Sequence, residues 1–157
     1  MRKTEREITS RAEIDAIIRQ SQVCRLGFAD GLEPYIVPLN FGYDGQIFYF
    51  HCAREGRKLE IIRRNSRVCF EFDILERVVV APDAFAWSCR YQSVIGTGTA
   101  SMIEDLAGKR TALAQIMAQY AGDRTFTFPE ELVNRTAVFQ VKIGNISGKQ
   151  TPREQNP

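Results

Sequence analysis

Most strand-like segments of this sequence are joined by short turns rather than by helices, and this order limits the folds that the chain can adopt. The clearest example is a hairpin in which residues 35–43 and 46–52 read as strands and Asp44-Gly45 reads as the tight turn between them. Strands joined in this way pair antiparallel, whereas a parallel sheet needs a crossover helix between its strands. No Gly-x-Gly-x-x-Gly motif links a strand to a helix. A mainly β, antiparallel fold with flanking helices is therefore predicted, and a Rossmann sheet is not.

The other periodic segments extend this pattern. Alternation predicts strands over 23–28, 67–73, 88–103 and 137–143, with a short addition over 77–80 and a loop over 81–86. Gly96 and Gly98 allow the long segment over 88–103 to bend, as the wall of a barrel must. Helices are predicted from a Ser10 cap to about Ser21, from Gly56 to near Asn65, over 105–120, and briefly after Pro129.

Size and charge limit the class of protein. The chain has 157 residues, 44% of them apolar, so we expect one domain over 1–157 with a core over about 8–146 and a loose tail over 147–157. The net charge of +2, from 21 basic and 19 acidic side chains, gives no field that would select nucleic acid. No apolar run approaches the ~20 residues that a membrane helix needs. A cytoplasmic protein with neither a nucleic-acid nor a membrane partner is expected.

Cysteine and histidine give little support for a metal site. The four cysteines lie in or beside strand-like segments, and no two have the short spacing of zinc ligands. We expect structural thiols at these positions, which are Cys24, Cys52, Cys69 and Cys89. Because His51 is the only histidine, a His-rich metal centre is excluded, and a Ser-His-Asp triad would have to be built around it.

The segment around Pro38 could bind a flat ligand through its backbone. Proline cannot donate a hydrogen bond to a neighbouring strand, so Pro38 predicts an edge or a bulge. The backbone groups of residues 37–40 would then be free to hydrogen bond with a flat heterocycle.

Arg57 and Lys58 occupy the first turn of the helix that follows Gly56. Exposed backbone amides and the positive end of the helix dipole favour an anion there, and a phosphate would gain both contributions. The alternative is that both residues belong to a solvated basic face, whose other members are Arg54, Arg63 and Arg64.

Two further segments have alternative interpretations. His51 ends a strand just before this loop, where it could donate to a phosphate or act as an acid, or be an ordinary structural histidine. The segment over 87–94 combines aromatic, cationic and hydroxyl groups at the start of the long strand. It could cover a flat ring, meet a second subunit, or form an ordinary barrel rim.

Several short motifs in the same order resemble the flavin-binding split-barrel family, in its branch related to pyridoxamine 5'-phosphate oxidases and nitroimidazole-resistance proteins. The resemblance spans roughly residues 4 to 150. The motifs are Cys24-Arg25-Leu26-Gly27, the run Pro34-Tyr35-Ile36-Val37-Pro38-Leu39-Asn40-Phe41-Gly42-Tyr43, Tyr49-Phe50-His51, Gly56-Arg57-Lys58 and Tyr91-Gln92-Ser93-Val94-Ile95-Gly96.

This resemblance implies a six-stranded antiparallel split β-barrel that forms a homodimer and binds FMN in two symmetric clefts at the interface. It assigns the isoalloxazine border to Val37, Pro38, Leu39 and Asn40. It assigns the ribityl phosphate to His51, Cys52, Ala53 and Lys58, with Arg57 as a second phosphate ligand. It assigns closure of the site to the segment that contains Trp87, Tyr91, Ser93 and Val94, and it makes His51 the catalytic candidate.

The implied function is that of an FMN-dependent oxidoreductase, which passes electrons from a reduced nicotinamide to a nitroaromatic or another small oxidant. The basic residues that bind pyridoxal phosphate in true pyridoxamine-phosphate oxidases are not found, so that substrate is not expected. The alternative is a non-catalytic module of the same fold that holds flavin, or haem with His51 as axial ligand. FAD or a deazaflavin in place of FMN is a third possibility.

Overall fold

The structure is a computed structural model that describes residues 4–152. Within that range it contains eight strands and four α-helices. The strands are β1 (Glu7–Ile8), β2 (Cys24–Asp30), β3 (Glu33–Leu39), β4 (Gly42–Tyr43), β5 (Ile47–Cys52), β6 (Arg67–Val79), β7 (Ser88–Ile103) and β8 (Ala137–Gln150). The helices are α1 (Arg11–Gln20), α2 (Arg57–Arg64), α3 (Leu106–Ala121) and α4 (Glu130–Asn134), and 3-10 turns cover Thr4–Arg6 and Ala84–Ala86.

All strand pairs of the sheet are antiparallel. The order is β3-β2-β6-β7-β8-β5-β4, and β1 pairs with β8 beside this path. The prediction of a mainly β, antiparallel fold with flanking helices is confirmed. The predicted number of six strands is too low by two, because β1 and β4, of two residues each, were not predicted as separate strands.

The sheet curls around a core rich in phenylalanine. Phe48 of β5 and Phe70 of β6 belong to strands that β7 and β8 separate, which would place them about 14 Å apart in a flat sheet. Their ring centroids are 4.8 Å apart, and Phe72 lies 5.1 Å from Phe48. The sheet must therefore fold back on itself. Among the described strands, β3 and β4 do not pair with each other, so the barrel is split between them.

The segment over 35–43 is not one strand, as predicted, but two. β3 ends at Leu39 and pairs with β2, whereas β4 pairs with β5 at the other end of the sheet. Between them, Phe41 is fully buried, and its backbone N–H donates to the Tyr120 hydroxyl at 3.0 Å. Burial of this ring turns the chain away from β2, and the strand ends. The alternation of apolar residues in the sequence continues past this point, which is why a single strand was predicted.

The two long strands β6 and β7 form the central wall. β7 has the predicted bounds, and β6 joins the two segments predicted over 67–73 and 77–80 through an irregularity between Leu75 and Arg77. In β7, the register against β8 shifts between Thr97 and Gly98, where a bend was expected. At Gly96 an added Cβ would lie 2.3 Å from the ring of Phe70, so only glycine lets this ring pack against the strand.

β8 is longer than predicted. The strand expected over 137–143 continues to Gln150, and its second half pairs with β7 and β1. The loose tail predicted from residue 147 is therefore wrong as far as Gln150, and residues 153–157 lie outside the described residues. The polar composition of this segment suggested a tail, but its polar residues Asn145 and Ser147 lie on the exposed face of a strand. Gly148 on the other face packs against Ile8.

The helices cover the openings of the sheet. In α1, Ser10 accepts a hydrogen bond from the Glu13 N–H at 3.4 Å, as a capping residue does, and Ile17 and Ile18 enter the core. α3 begins after the Asp105 cap and packs so closely on β4 that a Cβ at Gly42 would lie 2.5 Å from the helix backbone. Within residues 4–152, the helices lack the length and apolar character needed to cross a membrane.

Candidate functional site

β3 is an edge strand, as the position of Pro38 predicted. It ends the strand path and pairs only with β2, where Pro38 lies opposite Arg25. The side chains of Val37 and Leu39 pack against the core, whereas Pro38 and Asn40 are exposed. The outer edge of this strand therefore presents backbone N–H and C=O groups that no neighbouring strand among the described residues uses.

The first turn of α2 lies beside this strand. Its N-cap is Gly56, whose φ angle of 135° is a backbone conformation that residues other than glycine rarely adopt. No side chain caps the helix, and the Gly56 carbonyl accepts from the Leu59 N–H at 3.0 Å, so the amides of Arg57 and Lys58 are left without an intrahelical or capping partner. Leu59, Ile61 and Ile62 are buried in the core and fix the direction of the helix.

Arg57 is an anchor between α2 and the β2–β3 hairpin. It donates to Asp30 at 3.3 Å and to Glu33 at 2.8 Å, and its guanidinium lies 4.8 Å from the centre of the Tyr35 ring. The hydrogen bond to Glu33 is the main cause that raises the pKa of Arg57. Two carboxylates already compensate its charge, so Arg57 offers another anion less uncompensated charge than a free arginine would.

Lys58, the next residue, is in a different situation. Its side chain is half-buried, and it forms no hydrogen bond or ion pair with any residue in the described part of the chain. Its charge acts on Cys52, where burial raises the pKa of the thiol and the nearby ammonium of Lys58 opposes that rise. Lys58 is thus a partly buried cation at the uncapped end of a helix, close to the end of β5.

The end of β5 brings His51, Cys52 and Ala53 to this region, but their side chains do not all point the same way. Successive side chains of a strand point to opposite faces, so the exposed His51 and the half-buried Cys52 lie on different faces of β5. Cys52 packs against the core beside Lys58, and His51 pairs with Val138 of β8. Ala53 is exposed and follows the strand.

The segment over 87–94 lies at the opposite end of the sheet from these residues. His51 is in register with Val138, which is in register with Ile103 of β7. Tyr91 is twelve residues earlier in β7, which corresponds to about 40 Å along the strand. One copy of the chain therefore does not bring the two groups of candidate residues together.

Within this segment, the side chains have different surroundings. Trp87 is 52% exposed, and its indole N–H donates to the Ala81 carbonyl at 2.7 Å. Although some burial opposes it, hydrogen bonding to Lys149 and Arg6 lowers the pKa of Tyr91. Ser93 is half-buried, whereas the Val94 side chain is fully buried in the core and does not reach a surface.

The outer face of the sheet has a hollow that the sequence analysis did not anticipate. It is a cavity of about 540 Å³, lined by mostly apolar groups of β2, β3, β6 and β7. Gly27 forms part of its floor, and a Cβ there would lie 2.7 Å from the Cys69 sulfur. Glycine within a strand is a signal of close approach by a ligand or another chain, and Gly27 could have indicated this hollow.

The four cysteines are free thiols with different exposure. Cys24 is buried, Cys52 is half-buried, and Cys69 and Cys89 are exposed. The prediction of structural thiols fits Cys24, whose pKa burial raises. The exposed Cys69 and Cys89 do not contribute a buried side chain to the core.

The chain belongs to the pyridoxamine 5'-phosphate oxidase family, whose profile matches residues 10–150. It is similar to the structure of a candidate 5-nitroimidazole antibiotic resistance protein from Bacteroides thetaiotaomicron, with 34% identity and a TM-score of 0.82 over 91% of this chain and 85% of that one. No curated protein sequence matches the chain significantly.

Two more distant structures share the fold. An FAD and haem binding protein from Mycobacterium smegmatis has 22% identity and a TM-score of 0.86, over 97% of this chain and 76% of that one. The flavocytochrome Anf3 from Azotobacter vinelandii has 22% identity and a TM-score of 0.79, over 92% and 69% of the two chains. The split-barrel fold implied by the sequence motifs is thereby confirmed.

Proposed function

We propose that the protein binds FMN at the interface of a homodimer and acts as an oxidoreductase, which passes electrons from a reduced nicotinamide to a small acceptor. One observation carries this proposal: the uncompensated cation Lys58 lies at the uncapped start of α2, a turn that Arg57 joins to the start of the edge strand β3 through Glu33 and Tyr35. FMN has a phosphate at one end and, at the other, a flat ring that forms hydrogen bonds through its rim. Lys58 with the start of α2 suits the phosphate, and the free edge of β3 suits the ring.

Lys58 and the first amides of α2 would hold the phosphate. A partly buried ammonium without a counter-ion gains more from a phosphate than a solvated one does, because less water screens the pair. Arg57 would act by positioning, since its ion pairs with Asp30 and Glu33 hold the start of α2 against β3. Cys52 and Ala53 would contribute the adjacent wall at the end of β5.

The ring would lie along the outer edge of β3. Val37, Pro38 and Leu39 end this strand and Asn40 follows it. Those of their backbone groups that lie on the free edge can accept from the polar rim of an isoalloxazine and, except at Pro38, donate to it. Arg25, opposite Pro38, is paired with Glu71 at 3.1 Å and with Asp73, so its charge is directed to these carboxylates.

A second subunit would complete the cleft. Trp87 just before β7, and Tyr91 and Ser93 near its start, are too far from Lys58 of their own chain, but the two-fold axis of a dimer can bring them to the partner's site. β3, β6, β7 and the segment between β6 and β7 expose large apolar side chains that such an interface would bury, which are Ile36, Leu75, Val78, Val80, Trp87 and Ile95.

The redox chemistry would come from the cofactor, since a bound flavin accepts a hydride and passes on its electrons. Reduction of a nitro group to a nitroso group and water consumes one hydride and one proton, and His51 is our candidate for the donor of this proton. Its imidazole is exposed at the end of β5, on the opposite face from Cys52, where a substrate can reach it. The similarity to a nitroimidazole resistance protein supports a nitroaromatic acceptor.

Titration of the purified protein with FMN, followed by quenching of flavin fluorescence, tests the phosphate site. A charge-assisted hydrogen bond contributes about 1.5–3 kcal/mol, so Lys58→Ala should weaken FMN binding roughly ten- to hundred-fold. Lys58→Ala should also reduce the preference for FMN over riboflavin, which lacks the phosphate, because riboflavin affinity should hardly change.

Arg64→Ala is the matched control, since Arg64 lies on the same helix and pairs with Asp30. It should leave FMN affinity within about two-fold, as expected of an exposed ion pair. Equal losses in both variants, or an unchanged affinity in Lys58→Ala, would place the phosphate elsewhere.

A non-catalytic module that holds haem is the second candidate, because the only histidine, His51, is exposed and could serve as an axial ligand. Absorption spectra of the purified protein separate the two candidates, since haem gives a Soret band and flavin does not. Mass spectrometry of the extracted cofactor then distinguishes FMN from FAD or a deazaflavin.

A further inference from the structure

We propose a second anion site, separate from Lys58, that binds one phosphoryl group. It is a polar cavity of about 110 Å³ between the loop after β5, α2, the end of β7, α3 and the start of β8. Three cationic side chains and one carboxylate line it, together with Leu59, Met102, Thr136 and Ala137; the charged residues are Arg54, Arg63, Lys109 and Glu104.

Lys109 forms the floor of this cavity. Its residue exposure is only 9%, and it is the one charged residue among the buried residues of the described chain. Its ammonium donates to the Thr136 carbonyl at 3.2 Å, but no carboxylate in the described part of the chain lies within ion-pair distance. A buried cation without a counter-ion is unfavourable, and an anion that enters the cavity would remove this cost.

Arg54 and Arg63 form the rim. Both are exposed, and neither guanidinium has a hydrogen bond or ion pair to any residue between 4 and 152. By contrast, Arg57 and Arg64 of the same helix are both paired with Asp30. The two rim arginines are thus available as hydrogen-bond donors to a ligand held above Lys109.

The charge of the lining selects the type of anion. Three cations and one carboxylate leave a net charge of +2, which a dianion balances. Glu104 also faces the cavity, and it would repel any oxygen that carries no proton. Hydrogen phosphate has one O–H that can donate to Glu104, whereas sulfate at neutral pH has none, so the site should prefer phosphate to sulfate.

The size of the cavity selects one small group. At about 110 Å³ it is well below the about 300–1,000 Å³ of sites that hold drug-sized ligands. It therefore does not enclose a whole flavin or nucleotide, but it can hold free phosphate, or the terminal phosphoryl group of a phosphate monoester whose remainder lies outside the cavity. The site does not depend on the function proposed above, because Lys58 does not line it.

Isothermal titration calorimetry with inorganic phosphate, on the purified protein saturated with FMN so that the Lys58 site is filled, tests this site. We expect one phosphate per chain, and at least ten-fold weaker binding of sulfate. Arg63→Gln and Lys109→Met should each weaken phosphate binding about ten- to hundred-fold. Because Lys109→Met could fail to fold, Arg63→Gln on the rim is the decisive variant, and Arg64→Gln, outside the cavity, should bind phosphate normally.

Adenosine monophosphate, titrated in the same way, identifies the source of the group. Tighter binding of this ester than of free phosphate would support the site and assign it to an organic phosphate, and the reverse would assign it to free phosphate. Absence of binding by both to the FMN-saturated protein, or an equal effect of Arg63→Gln and Arg64→Gln, would overturn the proposal.

Discussion

At the scale of single residues, the smallest side chains set the shape of the barrel wall. Gly96 is the clearest case, since an added Cβ would lie 2.3 Å from both the Phe70 ring and the Asn145 carbonyl oxygen. Asn145 belongs to the partner strand β8, so its backbone cannot move without breaking the ladder. Glycine is required at position 96 because neighbouring atoms pack closely on two sides of it, and not because of its φ angle.

We predict that Gly96→Ala destabilises the protein by about 1–3 kcal/mol, the usual cost of overpacking a core. Unfolding in urea measures this change in free energy. Gly144→Ala in β8 is the control, because its nearest neighbour would be the Thr97 carbonyl at 3.3 Å, and it should cost clearly less. Equal stability of Gly96→Ala and the wild type would contradict the packing described here.

At the scale of elements, a polar network ties α1 to the β4–β5 hairpin. The Tyr43 hydroxyl donates to Asp15 at 2.6 Å, and Arg11 donates to the Tyr43 hydroxyl at 2.9 Å and to the Gly45 carbonyl. Burial, together with the hydrogen bond to Asp15, raises the pKa of Tyr43 to about 12. The network therefore depends on the protonated form of this tyrosine.

This shift makes stability depend on pH in a defined window. An unfolded tyrosine has a pKa of about 10, so between pH 10 and 12 the folded state binds more protons than the unfolded state. The free energy of unfolding must then fall as pH rises through this range, by roughly 2 kcal/mol for Tyr43. Urea unfolding between pH 9 and 12 should show a smaller fall in Tyr43→Phe than in the wild type. Parallel curves would show that Tyr43 does not cause the dependence.

Helices, strands and turns were largely predictable from the sequence where residues close to each other in the chain determine them. The Ser10 cap, the Asp44-Gly45 turn, the helix after Gly56 and the bounds of β7 follow from residues close in sequence. The break after Leu39 was not predictable, because it depends on the contact of Phe41 with Tyr120, 79 residues away. The extension of β8 was missed for a similar reason, since its polar residues face outward on a strand held by distant partners.

In the candidate site, too, features set by a single residue were predictable from the sequence, and features set by distant residues were not. Pro38 correctly predicted an edge strand, since the missing N–H is a property of the residue itself. The difference between Arg57 and Lys58, adjacent and alike in charge, was not visible in the sequence. It arises because Asp30 and Glu33, on a distant hairpin, pair with one and leave the other without a partner.

At the scale of the whole molecule, the distance between Lys58 and the segment over 87–94 makes the dimer central to the account. Ile95, 54% exposed on the outer face of β7, would lie in that interface. Ile95→Glu should give a monomer by analytical ultracentrifugation and lose at least ten-fold in FMN affinity, with an unchanged circular dichroism spectrum. A dimer that persists and binds FMN normally would show that this face is not the interface.

Leu32→Glu is the matched control for this prediction. Leu32 lies in the turn between β2 and β3 and is fully exposed, so the same change of charge has no interface to disrupt there. This variant should remain a dimer with wild-type FMN affinity.

A crystal structure of the protein with FMN tests the central claim most directly. The account predicts that the phosphate lies about 3 Å from the Lys58 Nζ and against the first amides of α2, with the ring along β3 of one subunit and β7 of the other. A phosphate bound away from Lys58, or a ring that does not contact β3, would contradict it.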